Sequence, residues 1–219
     1  MKAYEKLLLE NKAWAQEKLQ IDGKYFENMS KGQHPGYLWI GCSDSRISAN
    51  EITNSETGEI FVHRNIANLV SHTDLNLLSV LQYAVEELEV NHIIICGHYG
   101  CSGIKASMDM QHHGLMNKWL WNIKNVYRQH TDELSGITDQ EKRSDRLSEL
   151  NVKEQVLNLA KTSIIQHAWG KQKKPCLHGW IYDMKSGLIK DILKMDHNSE
   201  IEDIYKFNFN RNPDHYGFY

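Results

Sequence analysis

The sequence predicts an α/β fold with a mainly parallel central sheet, flanking helices and an antiparallel hairpin at one edge. Three observations carry this reading. Short apolar runs at Tyr37 to Ile40, Ile60 to Val62 and Ile93 to Ile95 recur between longer stretches of helical periodicity, the pattern of strands joined by helical crossovers. The run Ile93-Ile94-Ile95 is continuous and β-branched, as expected of a strand buried on both faces of a parallel sheet. Further on, Cys176 to Met184 and Leu188 to Met195 flank Ser186-Gly187, which reads as a strand, a tight turn and a returning antiparallel strand.

In chain order, Tyr4, Leu7, Leu8, Ala15 and Leu19 recur at helical spacing among charges, with Trp14 on or near the same face. This predicts an amphipathic helix over residues 1–19. Turn signals at Asp22-Gly23 and from Gly32 to Pro35-Gly36 separate it from the first strand. Such a linker would let the helix pack on a neighbouring subunit. After the second strand comes His63-Arg64-Asn65-Ile66-Ala67-Asn68. Thr73 is then expected to cap a helix whose buried stripe is Leu77, Leu78, Leu81, Ala84, Val85 and Leu88.

Residues from Met108 to His130 read as helical, Asp132 to Gln140 as a loop, and Ser144 to about Ala168 as one long helix with Leu147, Leu150, Val156, Leu159, Ala160, Ile164 and Ile165 on its apolar side. The tail holds Phe207, Phe209, Tyr216, Phe218 and Tyr219 without a clear period. The expected organisation is a single domain over 1–219, with a helical arm at 1–35, an α/β core at 36–195 and a tail at 196–219.

Composition bounds the function. With 25 Lys and Arg against 28 Asp and Glu and a net charge of -3, and no basic run interleaved with aromatics, nucleic-acid binding has no support. Charges at Lys2, Glu5, Lys6, Glu10 and Lys12 interrupt any signal-peptide core, and no later apolar run is long enough for a membrane span. A cytoplasmic protein is expected. Four cysteines in 219 residues are too few for a disulfide scaffold, and in a reducing compartment two that neighbour Gly and His favour metal or catalysis.

Two loops carry the chemistry. Gly41-Cys42-Ser43-Asp44-Ser45-Arg46 follows the first strand, and Gly97-His98-Tyr99-Gly100-Cys101-Ser102-Gly103 follows the third. Right-handed crossovers bring both to the carboxyl edge of the sheet. Cys42, His98 and Cys101 are two thiolates and one imidazole, the donors that Zn²⁺ prefers. Asp44 adds an oxygen, giving either four protein ligands or three plus a water.

For Cys96, Cys176, His92 and His178 the bland reading holds, since isolated Cys and His are usually core or hydrogen-bonded residues. His112, His113, His130, His167, His197 and His215 belong to no compact ligand pattern and read as surface or structural. Two other chemistries fit less well. The spacing Gly97, Gly100, Gly103 could cradle a phosphate, but it matches neither nucleotide-binding glycine motif. A thiolate phosphatase would want Arg six positions after its Cys, where Ser48 and Ser107 stand. A closed structural zinc site of Cys42, Asp44, His98 and Cys101 would leave Arg46 unexplained.

Together, C-x-D-x-R at Cys42 to Arg46, H-R-N-x-A-N at His63 to Asn68 and H-x-x-C at His98 to Cys101 resemble the β-class carbonic anhydrases. The match runs from about Trp39 to Gly103 and extends through Gly179-Trp180-Ile181-Tyr182-Asp183. The resemblance implies Zn²⁺ held by Cys42, His98 and Cys101, a catalytic Asp44 and Arg46 pair, and reversible hydration of carbon dioxide to bicarbonate and a proton by zinc-bound hydroxide. It also implies a homodimer or dimer of dimers with an exchanged N-terminal helix.

In one subgroup bicarbonate binds a second pocket and favours a closed state in which the Asp ligates zinc. The matching positions are Trp39, Arg64 and Tyr182. The run Ile47-Ser48-Ala49-Asn50-Glu51 departs from the V-x-A-E common in the family, and some relatives with these ligands act on carbon disulfide or carbonyl sulfide instead.

Overall fold

A single five-stranded sheet orders its strands β2-β1-β3-β4-β5. The strands are β1 (Tyr37–Cys42), β2 (Ile60–Asn65), β3 (His92–His98), β4 (Cys176–Asp183) and β5 (Leu188–Met195). The first four are mutually parallel, and β5 returns antiparallel to β4 with an irregularity between Gly179 and Trp180. This computed structural model describes residues 2–209. The mixed sheet and its edge hairpin are the architecture expected from the alternating apolar runs. β1 and β2 extend two and three residues beyond those runs, so that Cys42 and Asn65 end their strands side by side.

Among the described residues, 2–34 form one compact unit and 35–209 the other. In the first, α1 (Ala3–Ile21) begins where the Glu5 carboxylate accepts from the Lys2 N–H at 2.7 Å. A second short helix, α2 (Tyr25–Met29), stands where only turns were expected. It is set by Asp22, which accepts from the Lys24 N–H at 2.9 Å, and by edge-on packing of Trp14 against Tyr25 and Phe26. α1 buries none of its residues, and Tyr4, Leu7 and Leu8 are all more than half exposed.

In the second unit the helices are α3 (Ala49–Thr53), α4 (Leu75–Gln82), α5 (Ser102–Met108), α6 (Met116–Gln129), α7 (Thr131–Ser135), α8 (Gln140–Ala160) and α9 (Ser163–Gln172). Several boundaries differ from expectation for identifiable reasons. Asp74, not Thr73, caps α4, accepting from the N–H groups of Asn76 and Leu77. The segment 131–135 is helical, with Leu134 buried. The expected long helix is two, because Thr162 donates to the Leu159 carbonyl at 2.7 Å and accepts from the Ile165 N–H at 3.2 Å. This hydroxyl ends one helix and caps the next. The tail contains one 3₁₀ turn at Asp203–Tyr205, while Tyr216, Phe218 and Tyr219 lie outside the described residues.

Side chains alternate across the sheet. On one face Ile93, Ile95, Leu177 and Ile181 pack with Val152 and Val156 of α8. The approach is so close that a Cβ on Gly97 would lie 2.6 Å from Val152 Cγ2. On the other face Trp39, Ile94 and Cys96 pack with Trp180 and Tyr182. Among the described residues, no helix is long and apolar enough to cross a membrane.

Candidate metal centre

Parallel pairing places the carboxyl ends of β1 and β3 together, and the two loops meet there. Cys42 is the last residue of β1, His98 the last of β3, and Cys101 the residue before α5. All three are buried, and one ligand atom from each lies within 4.8 Å of the others. The Cys42 and Cys101 sulfurs are 3.9 Å apart. Two thiolates on one tetrahedral Zn²⁺, at Zn–S of about 2.3 Å, stand about 3.8 Å apart.

His98 Nδ1 is 3.0 Å from the Tyr99 carbonyl oxygen. A carbonyl can only accept, so Nδ1 carries the proton and Nε2 presents its lone pair, the arrangement of a metal-ligating imidazole. Nε2 is buried and has no hydrogen-bond partner among the described residues. A buried acceptor left unpaired is costly unless something else binds it. Its setting beside two sulfurs fits a thiophilic cation.

Backbone geometry supports the thiolates. The backbone of Ala67 and Asp44 lowers the Cys42 pKa, and that of Ile104 and Gly103 acts in the same direction on Cys101. Ala67 reaches its position only in left-handed backbone, at φ 64, followed by Asn68 at φ 49. This strain is held by Asn65, whose amide bonds the backbone of Leu69 twice, and by Asn151, which donates to the Ala67 carbonyl at 3.1 Å. The segment after β2 thus favours the Cys42 thiolate.

The hydrogen bond from the Cys101 thiol lowers the Cys42 pKa, against the opposing effect of burial, and the same bond with burial raises that of Cys101. The pair therefore releases one proton easily and holds the second, behaving as one titrating unit. Burial lowers His98, but the Cys42 thiolate, the Tyr99 carbonyl and Asp44 outweigh it and raise its pKa. Such surplus negative charge favours a dication.

Asp44 turns away from the sulfurs to Arg46. Arg46 Nε donates to Oδ1 at 2.9 Å and Nη2 to Oδ2 at 2.6 Å, and the Arg46 backbone N–H adds a third bond at 3.0 Å. Arg46 holds the Asp44 carboxyl well below the usual carboxylate range despite some burial. Oδ2 lies 3.8 Å from His98 Nε2. Beside the loop is a cavity of about 640 Å³, lined by Cys42, Asp44, Arg46 and Cys101 together with the apolar Ile66, Ala106 and Met116. His113, read from the sequence as surface or structural, also lines it and donates to Asp109 at 2.8 Å.

Trp39, Arg64 and Tyr182 lie on one face of the sheet by register, on β1, β2 and β4. Trp39 is buried edge-on to Trp180, and Tyr182 is half-buried in the same cluster. Arg64 donates from Nε to the Cys42 carbonyl at 2.9 Å and from Nη2 to the Asp44 carbonyl at 2.5 Å. It clamps the ligand loop, a role its sequence position did not suggest. Of the three glycines that invited a phosphate reading, Gly100 serves a left-handed turn at φ 67 and the other two have packing causes. Gly97 makes room for Val152, and a Cβ on Gly103 would lie 2.7 Å from Ile66 Cγ2.

The sequence reading is overturned at Cys176, which it left without a partner at ligand spacing. Cys176, His178 and His92 offer ligand atoms within 4.8 Å of one another. The signal was the Cys-x-His spacing, which on a strand puts both side chains on one face.

A family model described as carbonic anhydrase matches residues 37–189. A carbonic anhydrase of Emericella nidulans is 45% identical over 203 residues, covering 93% of this chain and 89% of the relative. Among solved structures, one of two tetrameric β-carbonic anhydrases from Sordaria macrospora has a TM-score of 0.85 at 37% identity, covering 88% of this chain and 98% of that one. A Coccomyxa β-carbonic anhydrase in complex with acetazolamide has a TM-score of 0.84 at 36% identity, covering 89% of each. Sheet order, soft-donor cluster and nearly full-length similarity thus agree, and the chain belongs to the β-class carbonic anhydrases.

Proposed function

We propose that the chain catalyses the reversible hydration of carbon dioxide to bicarbonate and a proton, with one Zn²⁺ per chain held by Cys42, His98 and Cys101. The observation that carries this reading is the unpartnered, buried Nε2 of His98 beside two sulfurs 3.9 Å apart. Two thiolates and an imidazole suit Zn²⁺ better than the harder divalent ions. When bound, Zn²⁺ supplies a water acidified enough to act as a hydroxide nucleophile near neutral pH.

The remaining chemistry belongs to side chains. Arg46 keeps the Asp44 carboxylate ionised and fixed by a two-point bond, so Asp44 can accept a hydrogen bond from the nucleophile and orient its lone pair. The apolar wall of Ile66, Ala106 and Met116 offers an uncharged gas a place without strong hydrogen bonds. Asp44 also serves regulation. Released from Arg46, it would become a fourth ligand and close the site, with bicarbonate at Trp39, Arg64 and Tyr182 favouring that state. Arg64 links the two, since its guanidinium grips the carbonyls of Cys42 and Asp44.

The chain works as a homodimer or dimer of dimers in the cytoplasm, as one functional domain with the 1–35 arm exchanged between subunits. The exposed Tyr4, Leu7 and Leu8 of α1 and the tetrameric relative support this assembly. The test is metal analysis of freshly purified protein with stopped-flow hydration of carbon dioxide, and with carbon disulfide and carbonyl sulfide as competing substrates. One zinc per chain with rapid carbon dioxide turnover is expected. Zinc-free active protein, or zinc without turnover, would overturn the reading.

A further inference from the structure

We propose that His92, Cys176 and His178 form a second metal site, for a borderline-soft divalent cation such as Zn²⁺, at the amino edge of the sheet. It is separate from the centre above. His92 opens β3 and His98 closes it, and six residues of extended strand span about 20 Å.

The geometry comes from the parallel register of β3 and β4. His92 pairs with Cys176, and His178 lies two residues further along β4, so all three side chains leave the same face. Each offers one ligand atom, and these lie within 4.8 Å of one another. His92 Nδ1 and His178 Nε2 are 3.1 Å apart. Two imidazole nitrogens on one tetrahedral Zn²⁺, at Zn–N of 2.0–2.1 Å, stand about 3.3 Å apart, so the pair is already set close to the spacing an ion would impose.

Neighbours hold the rings in place. Tyr37 stacks on His92 with centroids 5.5 Å apart and planes at 20°, and Trp180 lies 6.0 Å from His178. The Cys176 thiol donates to the Met195 carbonyl at 3.4 Å, a weak bond that is given up with its proton when the sulfur takes a metal. A hydrogen bond between the two histidines accounts for two of the three residues. It does not account for a thiol within reach of both. All three are half-buried, which leaves a path for an ion. The charges of Asp191 and Asp196 act on this cluster and favour a cation, with Lys194 opposing them.

With one thiolate and partial exposure, the second site is expected to hold metal less tightly than the buried pair of thiolates, and to tie β3 to β4. The test is titration of full-length protein, zinc-loaded at Cys42, His98 and Cys101, with Co²⁺, read by thiolate-to-cobalt charge-transfer absorption and by metal content. Wild type should take one further equivalent with a one-thiolate band. Cys176→Ser should lose the band and His178→Gln the equivalent, while both keep the first zinc and carbon dioxide turnover. No further equivalent in wild type, or equal bands in wild type and both variants, would overturn the proposal. Retained zinc and turnover in the variants show that they are folded.

Discussion

Arg46 clasps Asp44 at two points, Nε to Oδ1 and Nη2 to Oδ2, two residues apart on a loop that Arg64 also grips through the Asp44 carbonyl. A carboxylate whose Oδ2 lies 3.8 Å from His98 Nε2 would compete for a metal if freed. The guanidinium is more than half exposed while the carboxylate is mostly covered. The clasp is therefore worth little as a surface ion pair, and its value lies in where it keeps Asp44.

Arg46→Ala is accordingly expected to keep its zinc and lose activity on the order of 100-fold, the scale of a misplaced reacting group. Metal content and stopped-flow turnover measured on the same sample decide this. Full turnover would show that Asp44 does not depend on Arg46. Arg46→Lys should recover little, because an ammonium cannot make the paired bond.

A packing prediction follows from Gly97, which precedes the ligand His98. Gly97→Ala puts a Cβ against Val152 Cγ2 and should cost about 1–3 kcal/mol, as overpacking of a tight core does. Because one side-chain atom is the main obstacle, Val152→Ala in the same chain should return part of that loss. Thermal unfolding of the two single variants and the double variant measures the coupling. Strict additivity would place the strain elsewhere.

How far this site was legible in the sequence depended on whether its parts were local. Cys42, His98 and Cys101 stood out because soft donors followed two strand-like runs, and parallel pairing then had to bring them together. Arg64 and Asn65 were visible only as a motif, since their partners are backbone atoms that no side-chain pattern reveals. The break at Thr162 was hidden because the apolar periodicity runs on through it, and only the hydroxyl's two bonds interrupt the helix. The cluster of His92, Cys176 and His178 needed the β3 and β4 register, which joins residues more than eighty positions apart.

A second pH effect belongs to Glu149 rather than to the metal centre. Burial pushes its pKa up, but bonds from Tyr99 at 2.6 Å, Lys190 at 2.9 Å and Arg146 at 2.6 Å outweigh this and bring it down to about 2. The depressed value favours the folded state fully above the ordinary value of 4.5 and loses that contribution as pH falls toward about 2. Glu149→Gln should lower stability at neutral pH by about 1 kcal/mol, because the charge-assisted bonds weaken while the Lys190 ammonium stays largely in solvent. It should also flatten the loss between pH 4.5 and 2. Denaturant melts across that window check both, and parallel curves for variant and wild type would remove Glu149 from the acid transition.

The last prediction concerns bicarbonate and pH together. Asp44 stays ionised far below neutrality because Arg46 holds its pKa down, so activity lost between pH 8 and 6 cannot come from protonating Asp44. On the proposed mechanism it would come from protonation of the nucleophile, or from a shift to a state in which Asp44 takes the fourth ligand position. These two causes would separate through the proposed anion pocket. If bicarbonate binds the closed state better than the open one, it moves the population toward inactivity by that ratio of affinities and no more. Trp39→Phe and Tyr182→Phe remove one donor each while leaving the Arg64 clamp in place, and should weaken bicarbonate inhibition several-fold. Arg64→Ala removes the anion's charge partner and also the clamp on the Cys42 and Asp44 carbonyls, so it should lose inhibition and also some basal turnover. Hydration rates from pH 6 to 9, with and without bicarbonate, distinguish the cases. Unchanged inhibition in both Trp39→Phe and Tyr182→Phe would place the anion's effect at the metal itself and leave Arg64 as a purely structural clamp.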